Sequence, residues 1–70
     1  MEREALAKIS KRGGSLHYTR LADMMRISRY YTRLICESLG RNDYINFGVT
    51  GKCRIMLKGE NFLKKDSLLK

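Results

Sequence analysis

The spacing of apolar residues changes along this chain from a helical period to a period of two. Up to Arg41, apolar side chains recur at intervals of three and four residues, which is typical of amphipathic helices. Two alternating series follow Asn42-Asp43, namely Ile45, Phe47 and Val49, then Cys53, Ile55 and Leu57. Alternation on both sides of Thr50-Gly51 predicts a β-hairpin with a glycine-bearing turn. The pattern therefore predicts an α+β fold in which a helical core precedes a hairpin.

Glycines and polar capping residues divide the helical half into elements. The first helix is predicted over residues 2–12, and Gly13-Gly14 ends it because glycine readily adopts the positive φ of a helix terminus. The second helix is predicted from Thr19, as its N-cap, to about Arg26. A brief strand over residues 16–18 could pair with the hairpin, since a two-stranded hairpin alone is marginal.

A third helix is predicted from Arg29 to about Arg41, with Ser28 as its N-cap. Its helical wheel places one set of residues toward the core and another toward solvent. The core set is Tyr31, Leu34, Ile35, Ser38 and Leu39, and the solvent set is Arg29, Thr32, Arg33, Cys36 and Glu37.

The end of the chain is predicted to return to helix. Gly59 is expected to break the second hairpin strand, and an amphipathic segment follows over residues 60–69. Leu68 and Leu69 in that segment are candidates for a dimer contact, with capping of the core as the alternative.

The length of the chain and its charge limit the number of domains and the kind of partner that can be expected. The 70 residues predict a single domain, 1–70, with a folded core over about residues 4–65. Fifteen Lys and Arg against seven Asp and Glu give a net charge of +8. Repulsion among that many positive charges opposes folding into a compact state. Such a charge is usually explained by binding to a polyanionic partner. The alternative is that the charge serves solubility.

The residues needed for catalysis or metal binding are not grouped in the sequence. It contains no Ser-His-Asp set, paired-carboxylate motif or phosphate-cradling glycine loop, so we expect no enzymatic activity and no cofactor. Cys36, Cys53 and a single histidine, His17, do not make a zinc motif. Two cysteines without a disulfide framework, and the absence of a predicted membrane span, lead us to expect a cytoplasmic location, nucleoid-associated if the source is prokaryotic.

Cys36 has two interpretations, whereas Cys53 has one. A thiol at Cys36 beside arginines could sense oxidants, because a nearby cation lowers a thiol pKa, or it could be an unreactive thiol on a half-buried flank. Cys53 is interpreted as a small hydrophobic residue in the hairpin.

The stretch LHYTRLADMMRIS, residues 16–28, resembles the first half of a winged helix-turn-helix domain of transcription regulators. Thr19, Leu21-Ala22, Ile27 and Ser28 match the family's polar N-cap, Leu-Ala pair and connection to the recognition helix. Residues 34–45 are similar to the end of a recognition helix entering the wing, and residues 55–63 to the end of the wing and the start of the final helix. The sequence departs from the family at Asn42-Asp43, where a glycine is usual, although Asn can adopt the left-handed conformation.

The resemblance implies sequence-specific binding of double-stranded DNA, with the third helix in the major groove and the wing on the backbone or in the minor groove. The implied contacts fall into three sets. They are Ser28, Arg29, Tyr30, Thr32 and Arg33 in the recognition helix, Lys52 and Arg54 in the wing, and Thr19, Arg20 and Arg26 on the flanking backbone. For Lys52 and Arg54, the alternative is that charge protects an edge strand from aggregation.

Other partners stay open from the sequence. Winged helices of this type often form homodimers that match two-fold operators. The same fold also serves as a docking module for a partner protein, since fold does not fix function. RNA is less favoured, because no cluster of aromatic residues is predicted on a sheet surface to stack bases.

Overall fold

The computed structural model describes the backbone of residues 2–68 and the side chains of residues 2–65. Over this range the chain forms four helices and a three-stranded antiparallel sheet, so the predicted α+β class is confirmed. The elements are α1 (Glu2–Lys11), β1 (Ser15–His17), α2 (Tyr18–Met25), α3 (Arg29–Arg41), β2 (Ile45–Phe47), β3 (Lys52–Ile55) and α4 (Leu57–Leu68). No helix in the described range is both long enough and apolar enough to cross a membrane.

Helix α1 ends at the predicted glycine pair. Gly13 and Gly14 have φ values of 82° and 88°, in the region that glycine enters without steric cost. The Gly14 amide donates to the Ile9 carbonyl at 3.0 Å, which satisfies a carbonyl of the last helical turn. The Gly14 carbonyl in turn accepts from the Ile55 amide at 2.7 Å, so the end of α1 is joined to β3.

The N-terminus of α2 differs from the prediction. Thr19 is not the N-cap, because the helix begins at Tyr18 and His17 caps it from an extended conformation with φ −72° and ψ 143°. The imidazole Nδ1 of His17 accepts from the Thr19 amide at 3.3 Å. Histidine lies outside the usual capping set of Ser, Thr, Asp and Asn, so the neighbouring threonine was the better sequence signal. The helix ends at Met25, and Arg26 follows with a φ of 57°.

Helix α3 has the predicted bounds and the predicted N-cap. The Ser28 Oγ accepts from the Tyr31 amide at 3.0 Å. The exit from the helix is different, because Asp43 rather than Asn42 takes the positive φ, at 63°. Asp and Asn both tolerate this region, and the turn uses the second of the two residues.

The buried face of α3 lies about a quarter turn away from the predicted one. Thr32 and Cys36, predicted toward solvent, are 0% exposed, whereas Tyr31 and Leu34, predicted toward the core, are 46% and 42% exposed. Burial of Thr32 leaves no unsatisfied hydroxyl, because its Oγ1 donates to the Ser28 carbonyl at 2.8 Å. The buried residues of the helix are Thr32, Ile35, Cys36 and Leu39.

The sheet has the order β1–β3–β2, with both pairings antiparallel. The brief strand predicted over residues 16–18 is present as β1, one residue earlier. Leu16 pairs with Cys53 on one side of β3, and Phe47 pairs with Cys53 on the other. Because β3 is central, the interpretation of Lys52 and Arg54 as protection for an exposed sheet edge is wrong.

The hairpin strands are shorter than the alternating pattern suggests. Val49 lies fully exposed in the loop over residues 48–51, and Leu57 is the first residue of α4 rather than the end of a strand. The loop is closed by a hydrogen bond from the Gly48 amide to the Lys52 carbonyl at 3.0 Å. Alternation therefore overestimated both strands at their C-terminal ends.

One hydrophobic core lies between the helices and the inner face of the sheet. It is formed by small and medium side chains from α1, α2, α3, β2 and β3, and the aromatic residues Tyr18, Tyr44 and Phe47 border it. The fully enclosed apolar residues are Ala5, Leu6, Ile9, Leu21, Ala22, Ile35, Cys36, Leu39, Ile45 and Cys53.

Gly59 does not break the second strand as predicted but lies inside α4. A Cβ at this position would overlap the Tyr44 carbonyl oxygen and lie 3.0 Å from Ile55 Cγ1. The glycine therefore allows α4 to approach the end of the sheet. Leu68 and Leu69, the predicted dimer contacts, have side chains outside the described residues.

Replacing the two helical glycines with alanine should have opposite effects on stability. In the interior of a helix, alanine is more stable than glycine by about 1 kcal/mol. A Cβ at Gly40 of α3 would meet Phe47 Cβ at an ordinary 3.5 Å, so Gly40→Ala should stabilise the fold. Gly59→Ala should instead destabilise it by about 1–3 kcal/mol, because the overlap with Tyr44 must be relieved. Urea unfolding of both variants measures this, and equal stabilisation by the two would contradict the close approach of α4.

Candidate nucleic-acid interface

The exposed surface of α3 carries arginines one helical turn apart. Arg29 and Arg33 are both exposed, as a solvent-facing role requires. Tyr30 projects farther into solvent, with 74% of its surface exposed. Arg41, at the last turn of the helix, is also exposed, although the sequence analysis did not select it.

Arg33 is paired with a carboxylate of its own helix. Its Nε lies 3.3 Å from Glu37 Oε2, and the two side chains are 60% and 38% exposed. An exposed pair of this kind contributes about 0–1 kcal/mol. Arg33 is therefore oriented by Glu37 but can exchange it for another anion at little cost.

Thr32 leaves the set of predicted contact residues. Its side chain is 0% exposed and its hydroxyl is bound to the Ser28 carbonyl, so it cannot reach a ligand beside α3. Ser28 is exposed, and its hydroxyl is engaged in capping the helix.

A cleft of about 410 Å³ separates α3 from the hairpin loop. Arg33 and Glu37 form its α3 side, and the loop over residues 48–51 forms the opposite side. The floor is aromatic, because His17, Tyr18 and Phe47 also line it. The structure thus brings a predicted recognition-helix residue and the hairpin loop to one space.

His17 holds the hairpin loop against the start of α2. Its Nε2 must donate to the Thr50 carbonyl, at 2.8 Å, because a carbonyl only accepts. Its Nδ1 is then the acceptor for the Thr19 amide and also lies 2.8 Å from the Thr19 hydroxyl. The ring stacks on Tyr18 at 5.0 Å between centroids, and the Tyr18 amide donates to the Gly51 carbonyl at 2.9 Å.

Gly51 is required for this arrangement. It has a φ of 92°, and a Cβ there would lie 2.7 Å from His17 Nε2. The sequence predicts Gly51 as a turn residue, whereas it predicts no role for His17. A histidine directly before a helix is a weak capping signal, and its bond to Thr50 spans 33 positions, so no local pattern reveals it.

The predicted hairpin residues Lys52 and Arg54 do not line the cleft beside α3. They alternate with the buried Cys53, so they project from the outer face of the sheet. A shallower groove of about 210 Å³ lies on that face, formed by Asn46, Gly48, Thr50, Lys52 and Arg54. The basic hairpin residues and the α3 arginines therefore lie on two surfaces that meet at the hairpin loop.

The predicted flanking contacts are distributed around α2. Arg20 and Arg26 are exposed. Thr19 is half-buried, and its hydroxyl is committed to His17. Of this set, the two arginines have side chains available to an anion, whereas the threonine does not.

Within the described part of the chain, no group of three His, Cys, Asp or Glu side chains is placed to hold a metal ion. Comparison of the chain with protein-family models, with curated proteins and with solved structures finds no match.

Two substitutions of His17 separate its capping bond from its bond to the loop. His17→Asn keeps a good capping acceptor but is too short to reach Thr50, whereas His17→Ala removes both interactions. Both variants should therefore show faster amide exchange in residues 48–51. Only His17→Ala should lose the additional free energy of the cap, about 1 kcal/mol, in urea unfolding. Unchanged exchange in the loop of both variants would show that His17 does not hold the hairpin.

Proposed function

We propose that this protein binds double-stranded DNA and regulates transcription, with α3 in the major groove and the hairpin loop on the backbone or in the minor groove. In this proposal the fold is a winged helix-turn-helix, with α2 and α3 as the helix-turn-helix and the hairpin as the wing. The observation that carries the proposal is the cleft in which Arg33 of α3 faces the hairpin loop.

The arrangement of elements supports the proposal. Helices α2 and α3 pack against each other and are joined by only three residues, 26–28. Short connections of this kind between two angled helices are typical of the helix-turn-helix. The hairpin follows α3 directly, and β1 completes its sheet.

The side chains on α3 suit a base-paired duplex. An α-helix fits the major groove of DNA. There an arginine can donate two hydrogen bonds to a guanine, or two to a backbone phosphate. Arg29 and Arg33 are exposed at a separation of one turn, which matches successive contacts along a groove. The Glu37 partner of Arg33 is partly exposed and weakly held, so a phosphate or base can replace it.

Other cations extend the surface beyond α3. Arg20 on α2, Arg26 directly after it, and Lys52 and Arg54 on the outer sheet face are exposed and suit phosphate contacts on either side of the groove. With a net charge of +8, such contacts would release counterions from DNA.

A second candidate function is docking to a partner protein. Tyr30 and Leu34 on α3 are 74% and 42% exposed, and Leu57 on α4 is 71% exposed. Tyrosine is enriched at protein interfaces, where its ring is buried and its hydroxyl stays hydrogen-bonded. This candidate differs from DNA binding in its dependence on salt, because a largely apolar contact releases few counterions.

The double substitution Arg29→Ala with Arg33→Ala should weaken binding to duplex DNA by about tenfold or more at moderate salt. It should also reduce the slope of log affinity against log salt by about 2, since each phosphate contact contributes about 0.9. Fluorescence anisotropy with a labelled duplex, titrated at several salt concentrations, measures both quantities.

A charge-matched control is Lys64→Ala with Lys65→Ala, which removes two exposed cations from α4, away from the cleft. This variant should bind DNA within about threefold of the unchanged protein, because only the long-range field is altered. If the α3 and α4 variants lose equal affinity, α3 is not the contact helix. Binding that is unaffected by salt would favour the protein-docking function.

Neutralising Glu37 should tighten DNA binding by about threefold, because its carboxylate repels phosphates and occupies Arg33. Glu37→Gln tests this in the same anisotropy titration. Glu60→Gln is the matched control, since it removes one exposed carboxylate from α4. Equal changes in the two variants would show that Glu37 does not lie at the DNA surface.

A further inference from the structure

Two thiols meet in the core at the junction of α3 and the sheet. Cys36 of α3 and Cys53 of β3 are both free and 0% exposed. The Cys53 thiol donates to Cys36 Sγ, and the two sulfur atoms are 3.2 Å apart. The sequence placed Cys36 on the solvent side of α3, so this pair is visible only in the fold.

We propose that Cys36 and Cys53 are an intramolecular disulfide site, formed when the protein is oxidised by a small hydroperoxide. A disulfide has an S–S bond of about 2.05 Å, so the sulfur atoms need to approach by about 1.2 Å. At 3.2 Å the two sulfur atoms are in direct contact. The two thiols lie in the core, apart from the exposed surface that is proposed to bind DNA.

The chemistry proceeds in two balanced steps. The Cys36 thiolate attacks a peroxide oxygen, which breaks the O–O bond and gives a sulfenic acid and one hydroxide that takes up a proton to form water. The Cys53 sulfur then attacks the sulfenic sulfur, and the sulfenic oxygen leaves as a second water. Two thiols are oxidised by two electrons, and one hydrogen peroxide is reduced to two waters.

The hydrogen bond between the thiols sets their roles. It stabilises the charged form of Cys36 and lowers the pKa of that thiol, with burial and Glu37 acting in the opposite direction. The same bond raises the pKa of Cys53, which keeps its proton. Since the thiolate is the nucleophile, Cys36 is the sulfur that meets the peroxide first.

Burial determines which oxidants can act and what product forms. Two thiols at 0% exposure leave no room for a bulky disulfide reagent, whereas a peroxide can enter during local opening. A sulfenic acid at Cys36 is then 3.2 Å from its partner thiol, so ring closure should outpace a second oxidation.

The bond would cross-link α3 to β3 through two cysteines that lie 17 positions apart in the chain. Constraining the unfolded chain in this way raises the melting temperature, provided that the native geometry accepts the bond. It would also join α3 to the strand that carries Lys52 and Arg54, and so hold the two surfaces beside the hairpin loop in one relative position.

The test begins with reduced protein exposed to hydrogen peroxide, followed by trypsin digestion without reductant. Trypsin cleavage after Arg33, Arg41, Lys52 and Arg54 releases residues 34–41 and residues 53–54. We expect these two peptides joined to each other, an intact mass lower by two hydrogens, and a melting temperature several degrees higher that returns to its initial value with dithiothreitol.

The matched control is Cys53→Ser, which leaves Cys36 without a partner. In this variant peroxide should add oxygen atoms or produce covalent dimers, and the melting temperature should not rise. In the unchanged protein, oxygen adducts, dimers or unreacted thiols in place of the linked peptides would overturn the proposal. Peptide mapping of the unchanged protein gives this answer even if Cys53→Ser does not fold.

Discussion

The pairing of β3 on both of its edges is the constraint on which the rest of the structure depends. It joins residues 15–17, from the first quarter of the chain, to a hairpin that follows α3. A two-stranded hairpin is only marginally stable in water, and the third strand makes a sheet with a face wide enough to cover a core. Cys53, at the centre of β3, pairs with Leu16 and Phe47 and contacts Cys36 of α3. The orientation of α3 and the position of the hairpin loop therefore follow from one strand.

The hairpin loop takes its position from a second long-range link, which acts through the same strand pair. His17 ends β1 beside Lys52 and donates to Thr50, so the loop is held from the strand that also caps α2. This connects the geometry of the cleft to the helix-capping bond at Thr19. The two sides of the cleft are thus positioned by contacts in the core and at the start of α2.

The sequence was sufficient for several features that depend on neighbouring residues, although not for the N-cap of α2. The bounds of α3, its Ser28 cap, the stop of α1 at Gly13-Gly14 and the glycine at the hairpin turn follow from local conformational preferences. Features set by contacts between distant residues were missed. Cys36 is buried where it contacts Cys53, 17 positions away, and Thr32 is buried on the same face of α3. Gly59 is needed because α4 passes close to the Tyr44 carbonyl. The sequence prediction treated this glycine only as a breaker residue and therefore placed the end of a strand there.

The rotated face of α3 changes the chemistry of the candidate interface without removing its arginines. A quarter-turn error in a helical wheel moves residues at the centre of a face to its border, and residues near the border to the opposite side. Thr32 lies near such a border of the predicted face and is buried in the structure, whereas Leu34, which was predicted toward the core, is exposed. Arg33 lies far from the core in either orientation, and the rotation brings it to the cleft beside the hairpin. A long basic side chain still reaches the surface after a quarter-turn rotation of the helix. A threonine does not, because its hydroxyl reaches only the nearest backbone carbonyl.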